Sequence, residues 1–435
     1  MTDATEDQVK RLLAAAVPAT VREVCAKLAA AGHQAVAVGG AVRDALLGRE
    51  AGDWDVATSA TPHQVIALFR RTAPTGIEHG TVLVILGKDD ASKIEVTTFR
   101  GEGAYSDARR PDHVRFGVPL VEDLQRRDLV VNAIAYDPIN DQLIDPFGGR
   151  EDIARRRLRA VGDPVARFTE DGLRVMRAMR FASQLEFDLD PETEAGIAAA
   201  LPSLAKVSRE RVSVELRKTL ATRQPSRGLV IAKRTAILLS VLPELDARID
   251  DPSEWASRVD RAIPRVRLGA LLAPLADPEA DPLHLDREVV NRVLVILRAL
   301  KFSNLECDLA AQLVGIVHAS RGSEWTPVQV RRLLSELDRD KRVPAIELWE
   351  SDRTPNRALI EEARRVITEG HALAIKDLAI TGKDLMTALD MAPGPSIGRI
   401  LVLLLERVIE DPSLNDSKQL LQAAQRLELE VGHGA

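Results

Sequence analysis

The chain has 435 residues, of which 45% are hydrophobic and 29% charged, and its net charge is −6. This length exceeds what one hydrophobic core supports and predicts roughly three domains of about 150 residues each. The composition is that of a globular protein and excludes disordered and fibrous chains.

The apolar runs of the sequence are short compared with the roughly 18 residues that a transmembrane helix needs. The acidic N-terminus has the wrong charge order for a secretory signal. We therefore expect a cytoplasmic protein without a membrane partner. Cys25 and Cys307 are its only cysteines and lie far apart, a pattern that supports neither a disulfide framework nor a zinc site.

Residues 1–155 alternate between strand and helix signals. Runs rich in Val, Ile and Thr predict strands at Gln34–Val38, Asp53–Ser59, Thr81–Leu86, Lys93–Phe99 and Leu129–Tyr136. From about Arg155 onward, Gly and Pro separate long amphipathic segments, which predict helices. The expected fold is an α/β head, with a mixed sheet and helices, followed by an all-α neck, body and tail.

The segment 36–58 contains the first candidate site. Gly39 and Gly40 follow a predicted strand, so backbone N–H groups at the start of the next helix can approach a polyphosphate closely. Arg43 can then neutralise phosphate charge. This arrangement predicts a nucleotide-binding turn, although two glycines after a strand are by themselves more often an ordinary turn.

Asp53 and Asp55 follow on the next predicted strand. Side chains two residues apart on a strand project to the same side and can hold divalent cations together. A pair of this kind suits a two-metal site for phosphoryl transfer. Such a pair is more often solvated than metal-bound when it occurs alone, and the fixed order of both motifs makes the pattern specific.

With this order of motifs, the sequence resembles the class II tRNA nucleotidyltransferase and bacterial poly(A) polymerase family, whose signature is a Gly-Gly-x-x-Arg-Asp turn followed by Asp-x-Asp. The resemblance spans at least residues 34–220. It implies an α/β nucleotidyltransferase head, CTP and ATP as substrates, and tRNA as the partner. It also implies two Mg²⁺ ions held by the catalytic residues Asp53 and Asp55.

Two further motifs lie in the head. Lys93–Arg100 matches a strand of the family and offers Glu95 as a candidate third carboxylate. The next segment resembles the family's flexible loop, which is linked to accepting ATP as well as CTP; its candidate residues here are Arg100, Tyr105, Asp107, Arg109 and Arg110. A glycine-rich charged segment without apolar periodicity is typical of a mobile loop.

The segment 126–133 resembles the ribose-reading element of the family. Arg127, Asp128 and Asn132 supply donors and acceptors that suit a ribose and a phosphate. A structural ion pair is the alternative that these residues leave open.

The segment 170–181 is predicted to be one helix. Side chains three residues apart lie along one edge of a helix, and four residues of this segment have that spacing: Asp171, Arg174, Arg177 and Arg180. Glu170 precedes Arg174 by four residues, so we expect an ion pair that holds Arg174 in one rotamer. The resemblance implies that Asp171 and Arg174 read the base of the incoming nucleotide, and that Arg177 and Arg180 serve its triphosphate. A solvated arginine-rich helix face is the alternative.

Residues 201–240 carry nine bases against two acids. This local excess predicts a surface for RNA phosphates within the basic region 155–234, and a solvated helix face is the alternative. Longer relatives carry a phosphohydrolase domain after the neck, with a His-Asp motif. The corresponding stretch, Leu268–Asp277, has no histidine, so we expect no phosphohydrolase activity.

The expected function is template-independent addition of CCA to tRNA 3′ ends, with release of pyrophosphate. The expected domains are a catalytic head (1–155), a base-selecting neck (156–230), a body (231–340) and a tRNA-binding tail (341–435). A poly(A) polymerase, an enzyme adding only CC or only the terminal A, and a catalytically silent RNA-binding module stay open as alternatives. DNA is not an expected partner, and the sequence does not indicate an oligomeric state.

Overall fold

The computed structural model describes residues 6–88, 92–102, 114–321 and 324–432. The chain forms two compact units, residues 1–246 and 247–435. All strands found among the described residues lie in the first unit, and the second unit is helical there. The expected order of an α/β head followed by helices is confirmed.

The strands of the first unit are short. They are β1 (Ala35–Val38), β2 (Asp55–Thr58), β3 (Thr72–Gly76), β4 (Thr81–Ile85), β5 (Lys93–Thr98), β6 (Arg100–Glu102), β7 (Val114–Phe116), β8 (Ala135–Asp137), β9 (Gln142–Ile144), β10 (Arg157–Leu158) and β11 (Asp188–Leu189). Within the described residues, seven of them form one mixed sheet in the order β3-β4-β5-β2-β1-β8-β9. The pairs β6-β7 and β10-β11 lie outside this sheet.

Strand β1, in the interior of the sheet, is buried on both faces. Ala35 and Ala37 pack into one hydrophobic cluster, whereas Val36 and Val38 pack into another. Successive side chains of a strand point to opposite faces, so an uninterrupted apolar run is what a strand covered on both sides requires. The strand therefore holds the following turn on a rigid base.

The helices of the first unit surround the sheet and continue into the neck. They are α1 (Glu6–Ala16), α2 (Ala19–Ala30), α3 (Gly40–Leu46), α4 (Pro62–Leu68), α5 (Leu120–Gln125), α6 (Gly149–Ala154), α7 (Pro164–Glu170), α8 (Leu173–Leu185), α9 (Pro191–Leu204), α10 (Arg209–Leu220), α11 (Pro225–Arg234), α12 (Ile237–Val241) and α13 (Pro243–Asp246).

The prediction of one helix over residues 170–181 is wrong at its start. Helix α7 ends at Glu170 and α8 begins at Leu173, and Asp171 between them has an extended backbone. A Cβ on Gly172 would lie 2.3 Å from the carbonyl carbon of Ser203, so this glycine packs directly against backbone at the end of α9. The close approach of α9 accompanies a break that local spacing does not reveal.

The prediction of a strand over residues 129–136 is also wrong in part. Residues Val130–Asn132 form a 3-10 turn, and the strand begins only at Ala135. The Val130 N–H donates to the carbonyl of Arg159 at 2.8 Å, which turns the segment towards the neck. In the same way, β2 begins at Asp55, so Asp53 precedes the strand instead of lying on it.

The second unit contains helices and short turns among its described residues. The helices are α14 (Pro252–Arg261), α15 (Arg267–Leu272), α16 (Arg287–Ala299), α17 (Asn304–Ile316), α18 (Pro327–Ser335), α19 (Arg342–Glu350), α20 (Arg357–Thr368), α21 (Gly382–Leu389), α22 (Pro395–Glu410) and α23 (Ser417–Gly432). Nowhere in the described chain is a helix both long and apolar enough to cross a membrane.

Candidate active site

The turn after β1 brings an arginine against the backbone. Gly39 has φ of +79°, a conformation that glycine adopts without steric cost. A Cβ at this position would lie 2.8 Å from Nη1 of Arg127. Gly39 therefore allows the guanidinium to lie against the chain, and Gly40 begins α3 directly behind it.

Two of the three candidate carboxylates lie side by side on neighbouring strands. Asp55 of β2 is in parallel register with Glu95 of β5. The pKa of Asp55 is raised to about 6, first by burial and then by the charge of Glu95, with Asp53 acting in the same direction and Arg127 against it. Burial and neighbouring negative charge make this a place where bound cations relieve repulsion.

Mg²⁺ fits this donor set. It is a hard cation that usually binds one or two carboxylates together with water and substrate phosphates. Within the described ranges, no group of three or more His, Cys, Asp or Glu side chains is arranged to hold a metal ion. The assignment of Asp53 and Asp55 as the metal ligands, with Glu95 as a third carboxylate, therefore stays a prediction.

Arg127 is a half-buried cation whose buried Nε–H is an unused donor. Its Nη1 donates to the Asn132 carbonyl at 3.4 Å, and its Nη2 lies 3.7 Å from Oδ2 of Asp123. Its Nε has no hydrogen-bond partner among the described residues, and burial lowers the pKa of the guanidinium. A guanidinium with a buried N–H that has no partner is suited to an anionic ligand.

Asp128 and Asn132 connect two arginines. Asp128 accepts from Arg177 Nε at 2.7 Å and from Asn132 Nδ2 at 3.1 Å, and Asn132 in turn accepts from Arg43 Nη1. The cation and these hydrogen bonds hold the pKa of Asp128 well below its usual range despite burial. Both side chains thus position guanidinium groups, and their contact with a ribose stays a prediction.

The ring of Phe181 on α8 is a shared packing surface for three arginines. The distance from its centroid to the guanidinium carbon is 4.1 Å for Arg180, 5.2 Å for Arg43 and 5.4 Å for Arg177. Arg180 also donates from Nε to Glu215 of α10 at 2.6 Å. The side chains predicted to serve a triphosphate therefore do come together.

Arg174 is held in one orientation, as predicted. It forms an ion pair with Glu170 and donates to the carbonyls of Arg167 at 2.9 Å and Arg126 at 3.1 Å. Four residues separate Glu170 from Arg174 across the break between α7 and α8, so the predicted pair forms without a continuous helix.

Asp171 has partners that sequence spacing did not indicate. Its Oδ1 accepts from the Leu173 N–H at 3.0 Å, and its Oδ2 accepts from Arg211 Nη2 of α10 at 2.8 Å. The other terminal nitrogen of Arg211, Nη1, is buried and has no hydrogen-bond partner in the described structure. Asp171 is therefore oriented from two sides.

Of the flexible-loop candidates, the structure describes only Arg100. Arg100 begins β6 and donates to the carbonyl of His79. Tyr105, Asp107, Arg109 and Arg110 lie outside the described residues, and their role stays a prediction.

Acids from elsewhere in the chain neutralise much of the positive charge of the segment 201–240. Five of its nine bases pair with acids outside the segment, namely Arg211, Arg223, Arg227, Lys233 and Arg234. Lys206, Arg209 and Lys218 are exposed. The surface available to phosphates is therefore narrower than the whole run.

The roles of three residues were missed by sequence reasoning. Phe181, Arg211 and Glu215 contact the predicted site residues, but the sequence motifs assigned them no role. The signal that exists is indirect: a phenylalanine among arginines, and an Arg-x-x-x-Glu spacing on one helix.

Comparisons with known proteins agree with this architecture. Residues 35–159 match the family model of the Poly A polymerase head domain, residues 186–249 that of the RNA and SrmB-binding site of polymerase A, and residues 287–424 that of tRNA nucleotidyltransferase domain 2. The fold and site together define a nucleotidyltransferase.

Whole-chain relatives make the family clear. The CCA-adding enzyme of Lactococcus lactis subsp. lactis is 35% identical over 93% of this chain and 96% of the relative, and that of Geobacillus sp. is 38% identical over 89% and 91%. The crystal structure of the Bacillus stearothermophilus CCA-adding enzyme in complex with CTP is 30% identical, with a TM-score of 0.75 over 96% of this chain and 100% of that one. The chain belongs to the family of CCA-adding enzymes, which are tRNA nucleotidyltransferases, and the resemblance stated from its motifs is confirmed.

Proposed function

We propose that this protein adds C, C and A to the 3′ ends of tRNA from CTP and ATP, without a nucleic-acid template and with release of pyrophosphate. The observation that carries the proposal is that the Asp55 carboxylate and the arginines near the Gly39 turn lie next to each other. Arg127 lies against the Gly39 turn and acts electrostatically on Asp55. A carboxylate pair for metal ions thus adjoins a cationic pocket for a triphosphate.

Asp53 and Asp55 are the proposed ligands of two Mg²⁺ ions. Ions at such a site lower the pKa of an attacking hydroxyl and neutralise charge on the triphosphate and the leaving pyrophosphate. Asp55 is held in place by its strand, while Asp53 in the preceding turn is exposed to solvent. The 3′-hydroxyl of the tRNA would attack the α-phosphate in line, and no covalent enzyme intermediate is required.

The arginines are proposed to bind the triphosphate. Arg127 has an unused N–H, and Arg43, Arg177 and Arg180 are fixed around one ring. Donors that are already oriented lose little freedom when the ligand binds, so more of their attraction is available for positioning. Arg127 together with Asp128 and Asn132 is the proposed seat of the ribose and its phosphate.

Asp171 and Arg174 are the proposed readers of the base. A carboxylate accepts from the exocyclic amino group that cytosine and adenine share, and a guanidinium donates to ring acceptors. Glu170 fixes Arg174, and Arg211 fixes Asp171. The protein would then select the nucleotide in place of a template.

The remaining parts of the chain are proposed to bind tRNA. We assign catalysis to residues 1–155, base selection to 156–230, a helical body to 231–340 and tRNA binding to 341–435. RNA helices are recognised largely through shape and backbone, and the exposed bases Lys206, Arg209 and Lys218 suit that role. The proposed compartment is the cytoplasm.

The test uses three tRNA substrates, ending before the CCA, after the first C and after CC. Each is incubated with the protein, Mg²⁺, and labelled CTP or ATP, supplied singly and together. We expect C on the first two substrates, a single A on the third, and no product from the double variant Asp53→Ala, Asp55→Ala.

The other outcomes correspond to the alternatives. Addition of A to the CC-ended substrate alone would indicate an A-adding enzyme, and a long ladder of A would indicate a poly(A) polymerase. No incorporation with any substrate would contradict the proposal and leave an RNA-binding module.

A further inference from the structure

The Phe181 cluster, which we define as Phe181 with Arg43, Arg177 and Arg180, brings three positive charges to one buried ring. Phe181 is 5% exposed, and Arg43 and Arg180 are 2% and 8% exposed. Like charges at this separation repel each other strongly when water is excluded. The cluster therefore needs contacts that keep the arginines together before any ligand binds.

Carboxylates provide only part of these contacts. Arg177 is paired with Asp128 at 2.7 Å, Arg180 with Glu215 at 2.6 Å, and Arg43 with its neighbour Asp44 at 2.9 Å. The three carboxylates belong to three different parts of the chain, namely Asp128, Glu215 of α10 and Asp44 of α3, so these ion pairs anchor the arginines separately. The feature that all three guanidinium groups share is the ring.

The ring also completes a closed series of contacts that links the head to the neck. From Phe181 the contacts run to Arg177, to Asp128, to Asn132, to Arg43 and back to the same ring. Arg43 belongs to α3 of the head, whereas Phe181 belongs to α8 of the neck. The face of an aromatic ring attracts cations, and the attraction grows when water is excluded.

We propose that Phe181 is a positioning residue for nucleoside triphosphates: its ring face holds the three arginines in the spacing that the triphosphate requires. This inference rests on the proposed function and deepens it. Because the ring acts on groups that meet phosphates and not the base, its loss affects CTP and ATP alike. An equal effect on CTP and ATP distinguishes the role of Phe181 from that of Arg174, which would act on the base.

The test compares Phe181→Leu, which keeps an apolar side chain but removes the ring face, with Phe181→Tyr, which keeps the face. Phe187→Leu is the matched control, because Phe187 is 2% exposed in the same unit and no cation stacks on its ring among the described residues. The readouts are KM and kcat for CTP and ATP, calorimetric Kd for each Mg²⁺ nucleotide, inhibition by inorganic pyrophosphate, and Tm. Phe181→Met replaces the leucine variant if the latter does not fold, since methionine conserves volume.

For Phe181→Leu we expect Kd and KM to rise about fivefold to tenfold for both nucleotides, and the inhibition constant of pyrophosphate to rise in parallel. The Kd and KM values of Phe181→Tyr should lie between those of Phe181→Leu and those of the natural protein. Phe187→Leu should lower Tm by a similar amount without changing Kd. An unchanged Kd in Phe181→Leu, or a change confined to one nucleotide, would overturn the inference. Absence of incorporation by the natural protein would instead contradict the proposed function, and the binding measurement would still test the inference.

Discussion

Arg177 of the neck donates its Nε–H to Oδ2 of Asp128 at 2.7 Å, and this bond joins two segments that lie 49 residues apart in the chain. Asp128 is 6% exposed and also accepts from Asn132 and from the Leu129 N–H. The bond thus links the predicted ribose-reading element to the predicted triphosphate helix.

Replacing Asp128 with Asn should destabilise the protein by about 3 kcal/mol at neutral pH, because a partly buried Arg177 loses its partner. The folded state lowers the pKa of Asp128. The stabilisation that the Asp128 carboxylate contributes is therefore present above its unfolded pKa and is lost as the pH falls through its folded pKa. Urea unfolding at pH 7 and in acid checks this. As a control, Asp188→Asn removes the exposed ion pair with Arg227 and should change the free energy of unfolding little. An equal loss of stability in both variants would contradict the prediction.

The Asp55 carboxylate should oppose folding when it is ionised. Its pKa is raised to about 6 from 3.8 by burial and by nearby acids, so its stabilising protonated form is lost as the pH rises through about 6. In EDTA, Asp55→Asn should therefore have a higher Tm than the natural protein at pH 8, and the difference should shrink as the pH falls from about 6 towards 3.8. A lower Tm for Asp55→Asn at pH 8 would contradict this reasoning.

Glu170→Gln should loosen base selection. Arg174 would keep its two carbonyl acceptors but lose its ionic partner. We expect the preference for CTP over UTP, as a ratio of kcat/KM, to fall about fivefold to tenfold, since a good contact to a base edge contributes about 1–3 kcal/mol of discrimination. Glu194→Gln breaks the bidentate pair with Arg234 in the same unit and should leave the ratio unchanged. An unaltered ratio in Glu170→Gln would contradict a role for Glu170 in orienting Arg174.

Gly172→Ala should be destabilising by about 1–3 kcal/mol. The added Cβ would lie 2.3 Å and 2.4 Å from backbone atoms of Ser203 and Leu204, which cannot move aside as a flexible side chain can. Gly52→Ala is the control, because the structure leaves open space around that glycine. Urea unfolding of both variants checks the prediction, and a Gly172→Ala variant as stable as Gly52→Ala would contradict the close packing of α9.

Local patterns predicted the parts of the fold that depend on neighbours in the chain. The apolar run at Gln34–Val38 predicted a strand, and in the structure the residues of β1 alternate between two clusters. The spacing of Glu170 and Arg174 predicted their ion pair, because four residues separate them. The motif order also predicted the family correctly.

Long-range contacts decided the rest. The break at Asp171 and Gly172 accompanies the approach of α9, and the turn at Val130–Asn132 accompanies a bond to Arg159. Phe181 gains its role from an arginine of α3, more than a hundred residues earlier in the chain. Spacing within one segment contains no information about such partners, so one sequence could not reveal them.

The most direct test of the central claim is the mass of a tRNA that lacks its CCA end, measured after incubation with the protein, Mg²⁺, CTP and ATP. We predict a gain equal to two cytidylates and one adenylate and then no further growth, with no gain for Asp55→Asn. A product that grows by adenylates alone, or an equal gain with Asp55→Asn, would contradict the assignment of the carboxylate pair and the arginine pocket to CCA addition.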